Sequence, residues 1–229
     1  MFGRRWLEMT WRDGLFAHWP VDPAAVAETL PERLSIATYD GDAYLGVVAF
    51  VMEDIRPRGI PRGLSFPELN LRTYVEGPDG PGVYSYNLDA DDPLGVAVAR
   101  RLFALPYYRA EMRIRREARE DRVHFRSHRT HRDAPPAGFD VTYETRGPAR
   151  TAEPGSLEAF LVENYRFYAL GSRLYKGEID HEPWALRDAT ATIRRNGLFE
   201  ANGFDRPDGD PHLLGADPID VTADRLRRV

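Results

Sequence analysis

Residues 69–88 read LNLRTYVEGPDGPGVYSYNL. Leu69 to Val75 and Val83 to Leu88 are short runs with strand-favouring residues. The seven residues between them, Glu76-Gly77-Pro78-Asp79-Gly80-Pro81-Gly82, are turn chemistry, so the segment predicts a β-hairpin. Carried back to Phe66, the first strand places Glu68, Asn70 and Arg72 on one face and Leu69, Leu71 and Thr73 on the other, while its partner offers Ser85 and Asn87. In a closed sheet one face of every strand looks inward, and a row of Glu, Asn and Arg there would line a polar cavity. If the row faces solvent, it is ordinary surface. Spacing alone leaves both open.

Outward from this hairpin the period-two pattern continues. Tyr108, Ala110, Met112 and Ile114 alternate with Arg109, Glu111, Arg113 and Arg115, the mark of a sheet with one wetted face. Asp40-Gly41-Asp42 separates Ser35 to Tyr39 from the apolar run within Ala43 to Met52, which predicts a second hairpin. Further strands are expected at Val123 to His128, Phe139 to Thr145, Leu174 to His181, Ala189 to Arg194 and near Ile219 to Val221. Three helices have their usual punctuation. One opens at Asp22-Pro23 and closes at Leu30-Pro31. The second opens at Asp92-Pro93, carries Leu94, Val98, Leu102 and Phe103, and stops before Pro106. The third starts near Ser156 and carries Leu157, Phe160, Leu161, Tyr165 and Tyr168. About ten strands and three helices in one unit imply a mainly β, α+β domain, residues 1–229, whose large antiparallel sheet curls or closes into a barrel with helices outside.

Composition narrows the chemistry. The chain has 229 residues, a net charge of −5 and no cysteine, so disulfides, thiolate nucleophiles and cysteine-bound metals are excluded. No run reaches the roughly 20 apolar residues of a membrane span, and no export signal is legible. The expectation is a cytoplasmic protein without membrane association. An acidic chain is a poor partner for nucleic acid. The basic stretch Arg113 to Arg132 is diluted by Glu111, Glu117, Glu120 and Asp121 and reads as a solvated face. His124 and His128 share a strand face but lie ~13 Å apart at ~3.3 Å per residue, and His131 points the other way, so no metal is expected. His181, before Glu182-Pro183-Trp184, reads either as a general base or as a hydrogen-bonded histidine beside a packed tryptophan. No nucleophile elbow or phosphate loop occurs, and no cofactor is expected. Among the 31 Lys and Arg residues, Lys176 is the single lysine.

The order of short motifs carries a resemblance. Trp19-Pro20-Val21-Asp22-Pro23, Leu30-Pro31-Glu32-Arg33-Leu34, Phe66-Pro67-Glu68-Leu69-Asn70, Asp92-Pro93-Leu94 and Leu105-Pro106-Tyr107-Tyr108 resemble the uncharacterised YqjF-like bacterial and archaeal proteins. Glu163-Asn164-Tyr165, Leu174-Tyr175 and His181-Glu182-Pro183-Trp184 continue the likeness. That group is similar in turn to acetoacetate decarboxylase, which implies a conical β-barrel with a ligand cavity. The decarboxylase forms a Schiff base on one of two adjacent lysines that follow a Gly-aromatic-Pro segment. The similar segment here, Ala104-Leu105-Pro106-Tyr107-Tyr108, has tyrosines in their place, and a phenol forms no iminium. The resemblance matches the decarboxylase's cavity glutamate to Glu68.

These readings converge on a small-molecule-binding barrel in which Glu68, Asn70, Arg72, Tyr107 and Tyr108 line or border the cavity. Arg72 would hold a carboxylate bidentately, and a tyrosine hydroxyl would donate to a carbonyl oxygen. Lys176 shares a mostly charged face with Glu178 and Asp180 and reads as a solvated ion-pair partner. The alternatives are a lyase or isomerase using Glu68 as base and Tyr107 as acid, a sensor or carrier, and a structural homo-oligomer whose pocket is a packing remnant.

Overall fold

The computed structural model describes residues 5–93, 95–96, 105–117, 121–171 and 173–229. Its strands are β1 (Arg5–Val21), β2 (Ser35–Ile36), β3 (Ala43–Pro57), β4 (Leu64–Gly77), β5 (Gly80–Ala90), β6 (Tyr107–Glu117) and β7 (Arg122–Arg129). They continue with β8 (Gly138–Arg150), β9 (Arg166–Leu170), β10 (Leu174–Asp180), β11 (Leu186–Asn196), β12 (His212–Ala216), β13 (Ile219–Asp224) and β14 (Arg227–Arg228). Three short helices are described: α1 (Pro23–Ala27), α2 (Leu157–Val162) and α3 (Leu198–Ala201).

All these strands join one sheet, in which β1 and β5 each pass from one partner to another along their length. β1 pairs β13 over Arg5 to Trp11 and β12 over Gly14 to His18. β5 pairs β9 at Val83 and Tyr84 and β6 at Leu88 to Ala90. With β4 joined to β5, the pairings close into two rings that share β1, β3, β4 and β5. The smaller ring adds β9, β10 and β13; the larger adds β6, β7, β8, β11 and β12.

The shared strands are walls with a core on each side, which explains their composition. β3 is buried without interruption from Ala43 to Met52, as a strand covered on both faces must be. Tyr44, Val48, Phe50 and Met52 pack into one cluster with Phe16, Tyr74 and Trp184. Leu45, Val47 and Ala49 pack into the other with Leu69, Leu71, Phe125 and Phe139. The switch in β1 falls at a bulge where Asp13 takes a left-handed backbone, φ 52°. Its carboxylate is buried and takes Arg12 and Arg116, the latter at 2.7 Å.

The hairpin across 69–88 forms as expected, with Asn70 opposite Leu88 and Val75 opposite Gly82. Several expectations are corrected. The sheet is not antiparallel throughout, because β5 runs parallel to both β6 and β9. It has more strands than the ten expected, since β1, β9, β12 and β14 gave no clean alternation. The hairpin expected across Ser35 to Met52 is a tight turn at Tyr39 and Asp42 only; Ser35 and Ile36 pair with Glu76 and Val75 of β4 instead. The first helix keeps its Asp22 cap and N1 proline but ends at Ala27. The third keeps its Ser156 cap but stops at Glu163, whose ψ of 65° leaves the helical region, so Tyr168 sits in β9. α3 was not expected at all. Most of the helix expected between Asp92 and Phe103, including residues 94 and 97–104, lies outside the described residues. Among the described residues no helix is long and apolar enough to cross a membrane.

Candidate functional site

A cavity of about 180 Å³ lies within the smaller ring, and each of its seven strands contributes to the wall. Most of the wall is apolar and aromatic, with Trp11, Phe16, Phe50 and Trp184 among its residues. The polar part comes from β4. Its alternation turns Leu69 and Leu71 into the larger core and leaves Glu68, Asn70 and Arg72 on the cavity side. Tyr107, the first residue of β6, joins them because β6 starts beside Leu88 at the end of β5.

Glu68 is 3% exposed and Tyr107 8%. The Tyr107 hydroxyl donates to Glu68 Oε2 across 2.7 Å, and Asn70 Nδ2 reaches Glu68 Oε1 at 3.5 Å. Burial pushes the Glu68 carboxyl up to about 7, with the two donors pulling part of the way back. The Tyr107 phenol is pushed well above its ordinary range by burial and by the neighbouring carboxylate. The pair is therefore an acid–base couple in which Glu68 changes charge near neutrality while Tyr107 keeps its proton.

Arg72 is held by one backbone carbonyl and two aromatic rings. Its Nη2 donates to the Leu161 carbonyl at 3.0 Å, at the end of α2, and its guanidinium carbon lies 5.5 Å from the Phe16 ring and 5.7 Å from the Tyr74 ring. Its Nε is buried and has no hydrogen-bond partner among the described residues. The same Leu161 carbonyl accepts the Tyr74 hydroxyl at 2.8 Å, and Tyr74 Oη in turn lies 2.7 Å from His18 Nε2. His18 is fully buried and its pKa is held well below the usual histidine range, first by burial and then by Arg72.

The matching family model, the uncharacterized conserved proteins DUF2071, covers residues 8–220. This chain belongs to that family. It is 39% identical over 226 residues to the uncharacterized protein YqjF of Bacillus subtilis (strain 168), covering 97% of this chain and 92% of that one. Its fold is similar to that of the enduracididine biosynthesis enzyme MppR complexed with pyruvate, at a TM-score of 0.68 with 14% identity, over all of this chain and 91% of the other. It is also similar to an acetoacetate decarboxylase-like enzyme from Sphingomonas wittichii RW1, at a TM-score of 0.65 with 15% identity, over 98% of this chain and 93% of that one. At such identities the DUF2071 chain shares the fold of these enzymes, and the fold alone.

Of the five residues expected at the cavity, the structure brings four together. Tyr108 is the exception. It lies on the opposite face of β6 from Tyr107, with its ring 4.4 Å from the Arg129 guanidinium carbon and 5.3 Å from the His131 ring. Tyr108 therefore covers the buried ion pair of Arg129 and Asp89, both side chains 1% exposed, and does not line this cavity. Neither does Lys176, whose Nζ is 3.1 Å from Asp79 and 3.5 Å from Glu178. His181 does line it, packed between Tyr165 and Trp184 with ring centroids 4.6 and 5.1 Å away. Trp11 and Phe16 gave no sequence signal as cavity residues, because Arg12-Asp13-Gly14 between them reads as a turn and breaks the strand pattern. His124 bonds Thr142 while His131 accepts from the Arg109 amide at 3.1 Å, so these two histidines serve separate partners.

Proposed function

We propose that this protein binds a small carboxylate or carbonyl compound in the smaller ring and that it is not an acetoacetate decarboxylase. What supports the reading is the convergence of Glu68, Asn70, Arg72 and Tyr107 on one cavity. Arg72 supplies the positive charge: it donates to a carbonyl and packs on two aromatic rings, and among the described residues no carboxylate forms an ion pair with it. Tyr107 supplies a donor and Glu68 a group that exchanges a proton near neutral pH. A Schiff-base mechanism needs an amine at the cavity, and the chain's single lysine is tied to Asp79 and Glu178 elsewhere.

The Glu68–Tyr107 couple favours a second reading, a lyase or isomerase in which Glu68 removes a proton next to a carbonyl and Tyr107 donates to the carbonyl oxygen. In that step the C–H pair becomes the C=C bond of the enolate, the carbonyl π pair moves onto the oxygen, the proton ends on Glu68, and the Tyr107 hydroxyl, which donates to Glu68 in the free protein, turns its hydrogen bond to the enolate oxygen.

A thermal-shift screen with pyruvate, acetoacetate and aromatic carboxylates tests binding, since a ligand selective for the native state raises its apparent stability. Shifts in the wild type that vanish in Arg72→Met support the proposal; no shift with any carboxylate overturns it. Borohydride trapping with acetoacetate is expected to leave no adduct, and an adduct on Lys176 would restore the Schiff-base mechanism.

A further inference from the structure

The cavity wall contains a second polar pole that the reading above does not use. His181 Nδ1 lies 2.7 Å from the Glu182 carbonyl oxygen, which can only accept. Nδ1 therefore carries the hydrogen, and in the neutral ring Nε2 is a bare acceptor. That Nε2 is buried and, among the described residues, has no hydrogen-bond partner, as is true of Arg72 Nε, and both residues line the cavity. A buried acceptor without a donor costs folding free energy that a bound group can recover.

The two poles come from different parts of the cavity wall. Arg72 is on β4 and His181 follows the last residue of β10, and these strands are opposite walls of the seven-strand ring, reached one from the other through β5 and β9. The wall around them is aromatic. Trp11 and Trp184 are 6.0 Å apart and stacked at 21°, Phe50 lies 5.0 Å from Trp11, and Phe16 meets Trp184 edge-on at 5.2 Å. Ring faces and edges complement a planar aromatic guest better than a saturated one. The volume of about 180 Å³ equals about six waters at ~30 Å³ each, on the scale of one substituted ring.

We propose that the ligand is a hydroxy-substituted aromatic carboxylate, with its carboxylate on Arg72, its ring among Trp11, Phe50 and Trp184, and its hydroxyl donating to His181 Nε2. This rests on the carboxylate reading and adds the ring and the distal donor. His181 is thereby the specificity-determining residue.

Titration calorimetry of the full chain with benzoate, 3- and 4-hydroxybenzoate, cyclohexanecarboxylate and pyruvate tests it. One hydroxybenzoate is expected to bind about tenfold or more tightly than benzoate, and benzoate more tightly than cyclohexanecarboxylate. His181→Phe should keep benzoate binding and erase the hydroxyl preference, whereas His181→Gln, which retains an acceptor oxygen, should keep part of it. The proposal is overturned if the preference survives in His181→Phe, if neither hydroxybenzoate outbinds benzoate, or if the saturated ring binds as well as the aromatic one. Pyruvate binding that needs Arg72, with no aromatic carboxylate binding, sinks this inference and leaves the carboxylate reading standing. If no carboxylate binds at all, both fall.

Discussion

Tyr107 Oη donates to Glu68 Oε2 across 2.7 Å at a place where both side chains are almost wholly removed from water. The two come from strands that do not pair, β4 and β6, with β5 between them. A buried carboxyl with a single strong donor is poised rather than firmly ionised, because one hydrogen bond offsets only part of the desolvation cost.

That balance sets a pH dependence. The Glu68 carboxyl rises from 4.5 to about 7 on folding, so between those values the native state binds more protons than the unfolded chain and stability falls as pH rises. Across the whole window the loss is about 3 kcal/mol at ~1.4 kcal/mol per tenfold change in proton affinity. Glu68→Gln, which cannot ionise, should flatten the profile of unfolding free energy between pH 5 and pH 8 and be the more stable protein at pH 8. Identical slopes for the two proteins would show that Glu68 is an ordinary carboxylate.

The neighbouring tyrosines should separate cleanly. Tyr107→Phe removes a hydrogen bond to a charged group, worth about 1.5–3 kcal/mol, and should move the titration of Glu68 upward because its main donor is gone. Tyr108→Phe keeps the ring over Arg129 and should leave carboxylate affinity and the Glu68 titration unchanged. Infrared difference spectra of the carboxyl against pH, with calorimetry on the two variants, read both effects. An equal loss of affinity in Tyr108→Phe would mean that both tyrosines serve the ligand.

Much of this arrangement is legible in the sequence, and the parts that are not share a cause. The hairpin at 69–88 reads correctly from its turn residues and the polar row on one face of its first strand, and β6 from the alternation that one face in a core imposes. β3 reads as a strand but not as a shared wall, since burial on both faces erases its alternation. β1 is illegible for a related reason: its bulge at Asp13 shifts the register just where the strand passes from one ring to the other, so Trp11 and Phe16 reach the same cavity at odd-numbered and even-numbered positions. The row Glu68, Asn70, Arg72 is visible as a row, but only closure of the ring through β5–β9 and β1–β13 decides that it faces inward. Tyr107 and Tyr108 are indistinguishable by resemblance, and strand geometry alone sends one to the cavity and the other to Arg129.

Gly46 illustrates a packing constraint with a testable signature. A methyl group on it would stand 2.7 Å from His18 Cδ2 and 2.9 Å from Nε2, and His18 is fully buried and hydrogen-bonded to Tyr74. Gly46→Ala should cost about 1–3 kcal/mol as overpacking, a fall in Tm of roughly 2–4 °C per kcal/mol for a domain of this size. In a His18→Ala background the same substitution should be close to neutral, because the two side chains compete for one space. An equal cost in both backgrounds would place the conflict elsewhere.

The ion pair beneath Tyr108 makes the sharpest stability prediction. Arg129 binds Asp89 through Nε at 3.1 Å to both carboxylate oxygens and through Nη2 at 2.9 Å, and Asn87 Nδ2 supports Asp89 at 3.2 Å, itself held by Asn202 at 2.7 Å. Both charges are out of water, so removing one leaves the other buried without compensation. Asp89→Asn and Arg129→Met should each cost about 3–5 kcal/mol. The double variant should cost far less than the sum, because the second change relieves the charge stranded by the first. Urea unfolding of the four proteins measures the coupling. Additive losses would mean that water reaches the pair, and that the core of the larger ring is less closed than its 1% exposures indicate.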